Sequence, residues 1–235
     1  MGSRRKKRRT HVKTEDEDVL NAPRSFIFKQ GSVVDSVEAL IDNLRMVMEP
    51  FTATRLQESR KNKLKDFVAV AGALGVTHFI TFHQSDFGTN IRFTRTPRGP
   101  TLTFRAQSYC LVKDVLNSQK RPHTPGIEFQ HSPLVVLNGF SGTEPFKQVL
   151  AAFFQNMFPA INVQKLKLKE CRRVVIFNLE QSADAEDGEV NVDVDVRHYL
   201  ITASPVELNR PLKKIVKAKI PRLGKLQDIS DFVNG

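Results

Sequence analysis

Residues 96–106 (TPRGPTLTFRA) join guanidinium groups to a Gly-Pro turn and a strand, a combination suited to holding phosphate. Leu102, Phe104 and Ala106 fall on one face of the extended segment, and Thr101, Thr103 and Arg105 fall on the other. This period of two marks a half-buried strand. Residues 90–95 alternate in the same way, with Ile91 and Phe93 opposite Arg92, so the two segments predict a hairpin. If Phe93 shares a core face with Leu102 and Phe104, register forces Arg92, Thr103 and Arg105 onto one exposed face. Like charges gathered on a strand pair repel unless an anion lies between them. The expected chemistry is non-covalent capture of a polynucleotide backbone, RNA foremost. Its candidate contacts are Arg92, Arg95, Arg98, Gly99, Thr101, Thr103 and Arg105.

The elements that must position these residues form an internal repeat. Residues 26–50 align without a gap over residues 135–159, setting Phe26-Ile27-Phe28 against Val135-Val136-Leu137. Each strand leads through a turn into an amphipathic helix. The first has its apolar stripe at Val37, Leu40, Ile41, Leu44 and Met48, the second at Phe146, Val149, Leu150, Phe153 and Met157, and both stop at a proline, Pro50 or Pro159. In the first half a further helix, with Leu64, Phe67, Val68, Ala71 and Leu74 on one stripe, passes Gly75 into a strand over residues 77–83. In the second half a strand over 174–179 is followed by an acidic loop at 183–189, expected to be a solvated turn, and then by alternating Val190, Val192, Val194 and Val196. Each half is expected to return as antiparallel β after its helix. The pattern predicts two copies of one α/β unit.

The chain has 36 Lys and Arg against 25 Asp and Glu in 235 residues, a net charge of +11, which favours a polyanionic partner. Residues 1–23 predict a disordered tail, with RRKKRR at 4–9 as an import signal or RNA arm and an acidic patch at 15–18. Past Pro211, an apolar stripe of Leu212, Ile215 and Val216 carries Lys213, Lys214 and Lys217. No acidic residue interrupts 210–225, so a basic helix facing phosphate or an acidic peptide is expected. Arg55, Arg60, Lys61 and Lys63, interrupted by Glu58, invite the same two readings. No apolar run approaches the ~20 residues of a membrane span, and the N-terminus lacks a signal-peptide centre. A soluble intracellular protein without a membrane partner is expected.

Catalytic and metal motifs are missing from the sequence. Neither GxxxxGK[ST] nor GxGxxG occurs. Ser141, in Gly139-Phe140-Ser141-Gly142, lacks the glycine two places on that a nucleophile elbow needs, so it is expected in a turn or helix entry. His78 and His83 read as structural strand residues, and His198 has no nucleophile near it in sequence. Cys110 and Cys171 are isolated, which predicts buried or inert thiols and no metal. No enzyme, cofactor or small-molecule substrate is expected.

The phrases at 96–106, LKDFVAVAGALGVTHFI (64–80), MEPFTATRL (48–56) and VRHYLI (196–201) resemble the Brix-domain family. FQNMFPAIN (154–162) and LQDISDF (226–232) are similar to its Peter Pan type of ribosome-assembly factor. The likeness covers nearly everything after Pro23. It implies an α/β fold of two pseudo-symmetric lobes, at 24–130 and 131–235, the second ending in the basic helix. Each lobe would be a small mixed sheet packed with helices, similar to anticodon-binding domains. It further implies a non-enzymatic protein of the nucleus and nucleolus. Such a protein would bind precursor ribosomal RNA and other large-subunit assembly factors, one of them held in an apolar groove between the lobes. Peter Pan proteins usually continue into another strand and a basic tail, whereas this sequence stops at Gly235. Two rivals remain open on the residues alone: a protein-interaction scaffold of the nucleolus that touches RNA incidentally, and a tRNA-binding domain.

Overall fold

The computed structural model describes residues 21–58, 62–120, 122, 126–161, 171–182 and 191–202. The expectations for the tail at 1–20, for Arg60 and Lys61, for the acidic loop and for the basic C-terminal helix lie outside the described residues.

Strand β1 (Arg24–Lys29) leads into helix α1 (Asp35–Val47), and helix α2 (Leu64–Leu74) ends at Gly75, whose left-handed φ of 66° suits a residue without Cβ. The hairpin strands β2 (Val76–Ser85), β3 (Gly88–Arg95) and β4 (Thr101–Arg105) follow, then helix α3 (Val112–Ser118). The second half holds β5 (Leu134–Asn138), α4 (Pro145–Asn156), β6 (Arg173–Ser182) and β7 (Asn191–Leu200). The strands form two mixed sheets, one ordered β1-β2-β3-β4 and one β5-β6-β7. β1 runs parallel to β2 and β5 parallel to β6, while β2–β3, β3–β4 and β6–β7 are antiparallel. The first strand after each helical crossover is therefore parallel to the strand before it. This corrects the purely antiparallel return, because a helical crossover brings the chain back to the end it left. The repeat is visible as β1–α1 against β5–α4.

Both sheets belong to one compact unit, Met1–Leu200, and they share a core. Ile27, Ile80 and Phe82 of the first sheet meet Val37 and Ile41 of α1, Leu150, Phe153 and Phe154 of α4, and Val175, Phe177 and Leu179 of the second sheet. Phe154 stacks on Phe177 at 4.5 Å and meets Phe93 at 6.0 Å and Phe104 at 6.2 Å, so α4 lies between the sheets. Burying one such ring contributes roughly 1.5–3 kcal/mol. The inner faces are thus filled by the chain's own side chains, where an apolar groove for a partner was expected. The apolar stripe of α4 is also rotated from expectation. Phe154 is buried, whereas Phe146 and Val149 are exposed, because the helix must present side chains to two sheets. A smaller cluster on the other face of the first sheet joins Phe26, Phe28 and Phe79 to Ala71 and Phe67 of α2. Leu64, Val68 and Leu74, expected in that stripe, are exposed. Cys110 is exposed and Cys171 partly buried, so of the two alternatives, buried or inert, burial does not hold for Cys110.

Arg173 ties the halves together. From β6 its buried guanidinium donates to Val47 O (3.1 Å) and Glu49 O (2.7 Å) at the end of α1, and to His131 O (2.7 Å). It also lies 4.6 Å over the ring of Phe129.

Two strand histidines are held neutral. Burial, with Arg95 adding to it, pulls His78 down to about 4, and burial with Arg173 does the same to His198. Their folded pKa lies below that of the unfolded chain, so the unfolded state takes up protons first as pH falls from about 6.5 towards 4. Stability is complete above that window and is lost within it, by roughly 2–3 kcal/mol for His78, which is 1% exposed. Urea unfolding of the wild type and of His78→Gln at pH 7 and pH 5 checks this. The variant should lose less stability on acidification than the wild type does.

Candidate nucleic-acid interface

The β3–β4 register pairs Ile91 with Phe104, Arg92 with Thr103, Phe93 with Leu102 and Asn90 with Arg105, as the alternation predicts. Ile91, Phe93, Leu102 and Phe104 pack against the shared core. Arg92, Thr103 and Arg105 are exposed together on the opposite face, with Thr101 also exposed. Arg92 and Arg105 are diagonal neighbours, a relation that typically sets residues about 7–8 Å apart. The apolar contacts of α2 on that outer face are with β1 and β2, through Phe26, Phe28, Val76 and Phe79.

Pairing with β2 extends the exposed face by His83, which the sequence reading did not include, whereas Thr81 beside it is buried. Asn90 pairs with His83 and Arg92 with Thr81, so His83, Asn90 and Arg105 form one row and Thr81, Arg92 and Thr103 the next. Carrying the same alternation one strand further would have found His83. Arg95 lies elsewhere. It shares the parity of Phe93 and pairs with His78, which puts it on the inner-face side, exposed at the end of the sheet.

The turn at 96–100 is tightly anchored and presents Arg98 to solvent. Thr96 donates from its N–H to Thr77 O (2.8 Å) and from its hydroxyl to Val76 O (2.8 Å). Gly99 N–H donates to Arg95 O (2.9 Å) and Arg95 N–H to Pro100 O (3.2 Å). A Cβ on Gly99 would sit 2.4 Å from Arg95 Cβ, so the turn closes only with glycine there. Gly99→Ala is expected to cost about 1–3 kcal/mol of stability through overpacking. A thermal midpoint equal to that of the wild type would contradict this.

Among the described residues the ion pairs are Lys29–Glu38, Arg45–Asp42, Arg45–Glu58, Lys147–Glu144 and Arg197–Asp195. None engages Arg92, Arg98 or Arg105. Glu58, which interrupts the basic cluster in sequence, is turned inward. One carboxylate oxygen accepts from Arg45 Nη2 (2.5 Å) and the other from Lys29 N–H (3.0 Å). Arg55 and Lys63 remain exposed. Arg60, Lys61, Lys213, Lys214 and Lys217 lie outside the described residues. The turn that holds Ser141 is shaped by Gly139, with φ of 80° and room for no Cβ against Leu179 O at 2.3 Å. No helix among the described residues is long and apolar enough to cross a membrane.

Residues 31–230 match the Brix domain family. A Brix domain-containing protein of Schizosaccharomyces pombe is 39% identical over 99% of this chain and 60% of its own length. A Peter Pan-like protein of Arabidopsis thaliana is 38% identical over 94% of this chain and 64% of its own. The ribosome biogenesis protein SSF1 of Saccharomyces cerevisiae is 36% identical over 99% of this chain and 54% of its own. The chain thus spans between half and two thirds of these relatives. A crystal structure of a probable ribosomal biogenesis protein from Aeropyrum pernix aligns with a TM-score of 0.45 and 16% identity, over 79% of this chain and 98% of that one.

Proposed function

The chain belongs to the Brix-domain family, and on that premise we propose that it is a ribosome-biogenesis factor that grips precursor ribosomal RNA during maturation of the large subunit. The observation that carries this is the exposed outer face of β3–β4, where Arg92 and Arg105 stand together and Arg98 crowns the adjoining turn, with no carboxylate paired to them among the described residues. Relatives named as ribosome biogenesis proteins support the reading as an assembly factor.

Arg92, Arg98 and Arg105 donate to phosphate oxygens, Thr101 and Thr103 add hydroxyls, and the Gly99 turn fixes Arg98. Arg95, Lys63, Arg60, Lys61, Lys213, Lys214 and Lys217 are further candidate contacts, whose positive charge favours a polyanion. Phosphate contacts position a protein without reading sequence, so selectivity comes from RNA shape and from neighbouring assembly factors. The protein works by binding and not by turnover, in the nucleus and nucleolus, with the basic block at 4–9 as its import signal.

Crosslinking RNA to the protein in cells and sequencing it tests the proposal. Reads from precursor ribosomal RNA are expected. Recovery of tRNA instead, or of protein crosslinks without ribosomal reads, would favour one of the two rival functions.

A further inference from the structure

We propose that the outer face of α2 docks an amphipathic helix of a partner protein whose apolar stripe is flanked by acidic residues. This rests on the reading of the chain as an assembly factor and names the surface where a protein partner sits. From Phe67 to Leu74 the helix has no polar side chain. The sheet below takes up only part of it: Ala71 is buried and Phe67 stacks on Phe28 at 4.3 Å. Leu64, Val68, Val70 and Leu74 are each 48–50% exposed, and Ala69, Gly72 and Ala73 are exposed between them. A helix apolar all round is one that is covered on all sides. Here the fold covers one.

The character of the uncovered face selects its occupant. Ala69, Gly72 and Ala73 give it low relief, so a second helix can approach to the 8–10 Å at which helices pack. Aliphatic side chains offer nothing to a phosphate backbone, which separates this face from the arginines of β3–β4. The charges around it are positive on balance, Lys63, Lys65 and Arg24 against Asp66. Lys63 and Lys65 are exposed at its start, and at its end Arg24 Nη1 donates to Leu74 O (3.3 Å). Asp66 is engaged, its Oδ2 accepting the N–H of Lys63 (2.8 Å). A second copy of this chain would bring lysines to lysines. A helix flanked by Asp and Glu meets them with opposite charge.

The test places a photo-crosslinking residue at Ala69 or Ala73 of the full chain in cells and maps the adducts by mass spectrometry. Adducts should gather in one segment of another protein, with apolar residues at helical spacing and acidic flanks. A synthetic peptide of that segment should bind the purified full chain. Val68→Glu with Val70→Glu should weaken this binding at least tenfold while leaving the thermal midpoint and the RNA affinity unchanged. Adducts on RNA, on this chain or on a second copy, no adducts, or an unweakened peptide would each overturn the docking proposal. Measuring ribosomal RNA crosslinks on the same double variant separates the two ideas. If those crosslinks persist while the α2 adducts fail, only the docking site falls. If they are absent from the wild type as well, the RNA-binding function falls with them.

Discussion

Arg92→Ala, Arg98→Ala and Arg105→Ala combined are expected to lower affinity for a folded ribosomal RNA fragment by roughly a hundredfold or more at about 50 mM salt. The size follows from counterion release. Each phosphate contact contributes about 0.7–0.9 to the slope of log affinity against log salt, so losing three flattens the slope by about 2–3. Wild type and variant should therefore converge as salt rises, because what was lost is the part that salt screens. Stability should change by no more than about 0.5 kcal/mol, since the three side chains have no ion-pair partner among the described residues. Arg95→Ala alone should matter less than either strand arginine, because Arg95 projects from the other side of the sheet beside His78. Parallel salt titrations of the triple variant and the wild type check this. An unchanged slope would remove the hairpin from RNA binding.

Arg173→Met is expected to cost about 3–5 kcal/mol of folding stability, since it strands three partly buried carbonyl acceptors at about 1–3 kcal/mol each, with partial relaxation. The last carbonyls of a helix have no partner within it, and they carry the negative end of its dipole. At the end of α1 those carbonyls are served from the other sheet. Arg173 donates to Val47 O and Glu49 O, and also to His131 O beyond the helix. Methionine fills the space but leaves these acceptors dry. Burial pulls the guanidinium down to about 10, with Glu49 opposing, so it stays charged at neutral pH. Arg173→Lys should recover less than half of the loss, because a single ammonium cannot span acceptors arranged for a planar fork. Urea unfolding with a single transition measures both variants. A loss below about 1 kcal/mol for methionine would show that the carbonyls find other donors.

The parts of this fold that were legible in the sequence are those where one periodicity meets one surface. The β3–β4 hairpin alternates strictly, so its register and the exposure of Arg92, Thr103 and Arg105 follow from the residues themselves. The α1 stripe of Val37 and Ile41 was equally plain, with one core to face. α4 packs between two sheets, and the 3.6 period alone could not choose between Phe154 and Val149 as its edge. α2 misled in the opposite sense: its composition implied burial that its own sheet supplies on one side only. Charge was the least legible property. Glu58 and Arg45 turn inward, and Arg173 is 1% exposed, yet nothing local distinguishes them from surface residues. Their partners are backbone carbonyls and distant side chains that only the folded chain assembles. The place of Arg95 was readable too, since its parity with Phe93 already set it on the other side of the sheet from Arg92.

The account stands on the outer face of β3–β4 being where ribosomal RNA lies. Ultraviolet crosslinking of the full chain in cells, followed by mass spectrometry of nucleotide-bearing peptides, addresses that directly. The predicted result is adducts on peptides from residues 88–105, lost in the triple arginine variant. Adducts confined to residues 1–20 and 203–235, with none on β3 or β4, would contradict it.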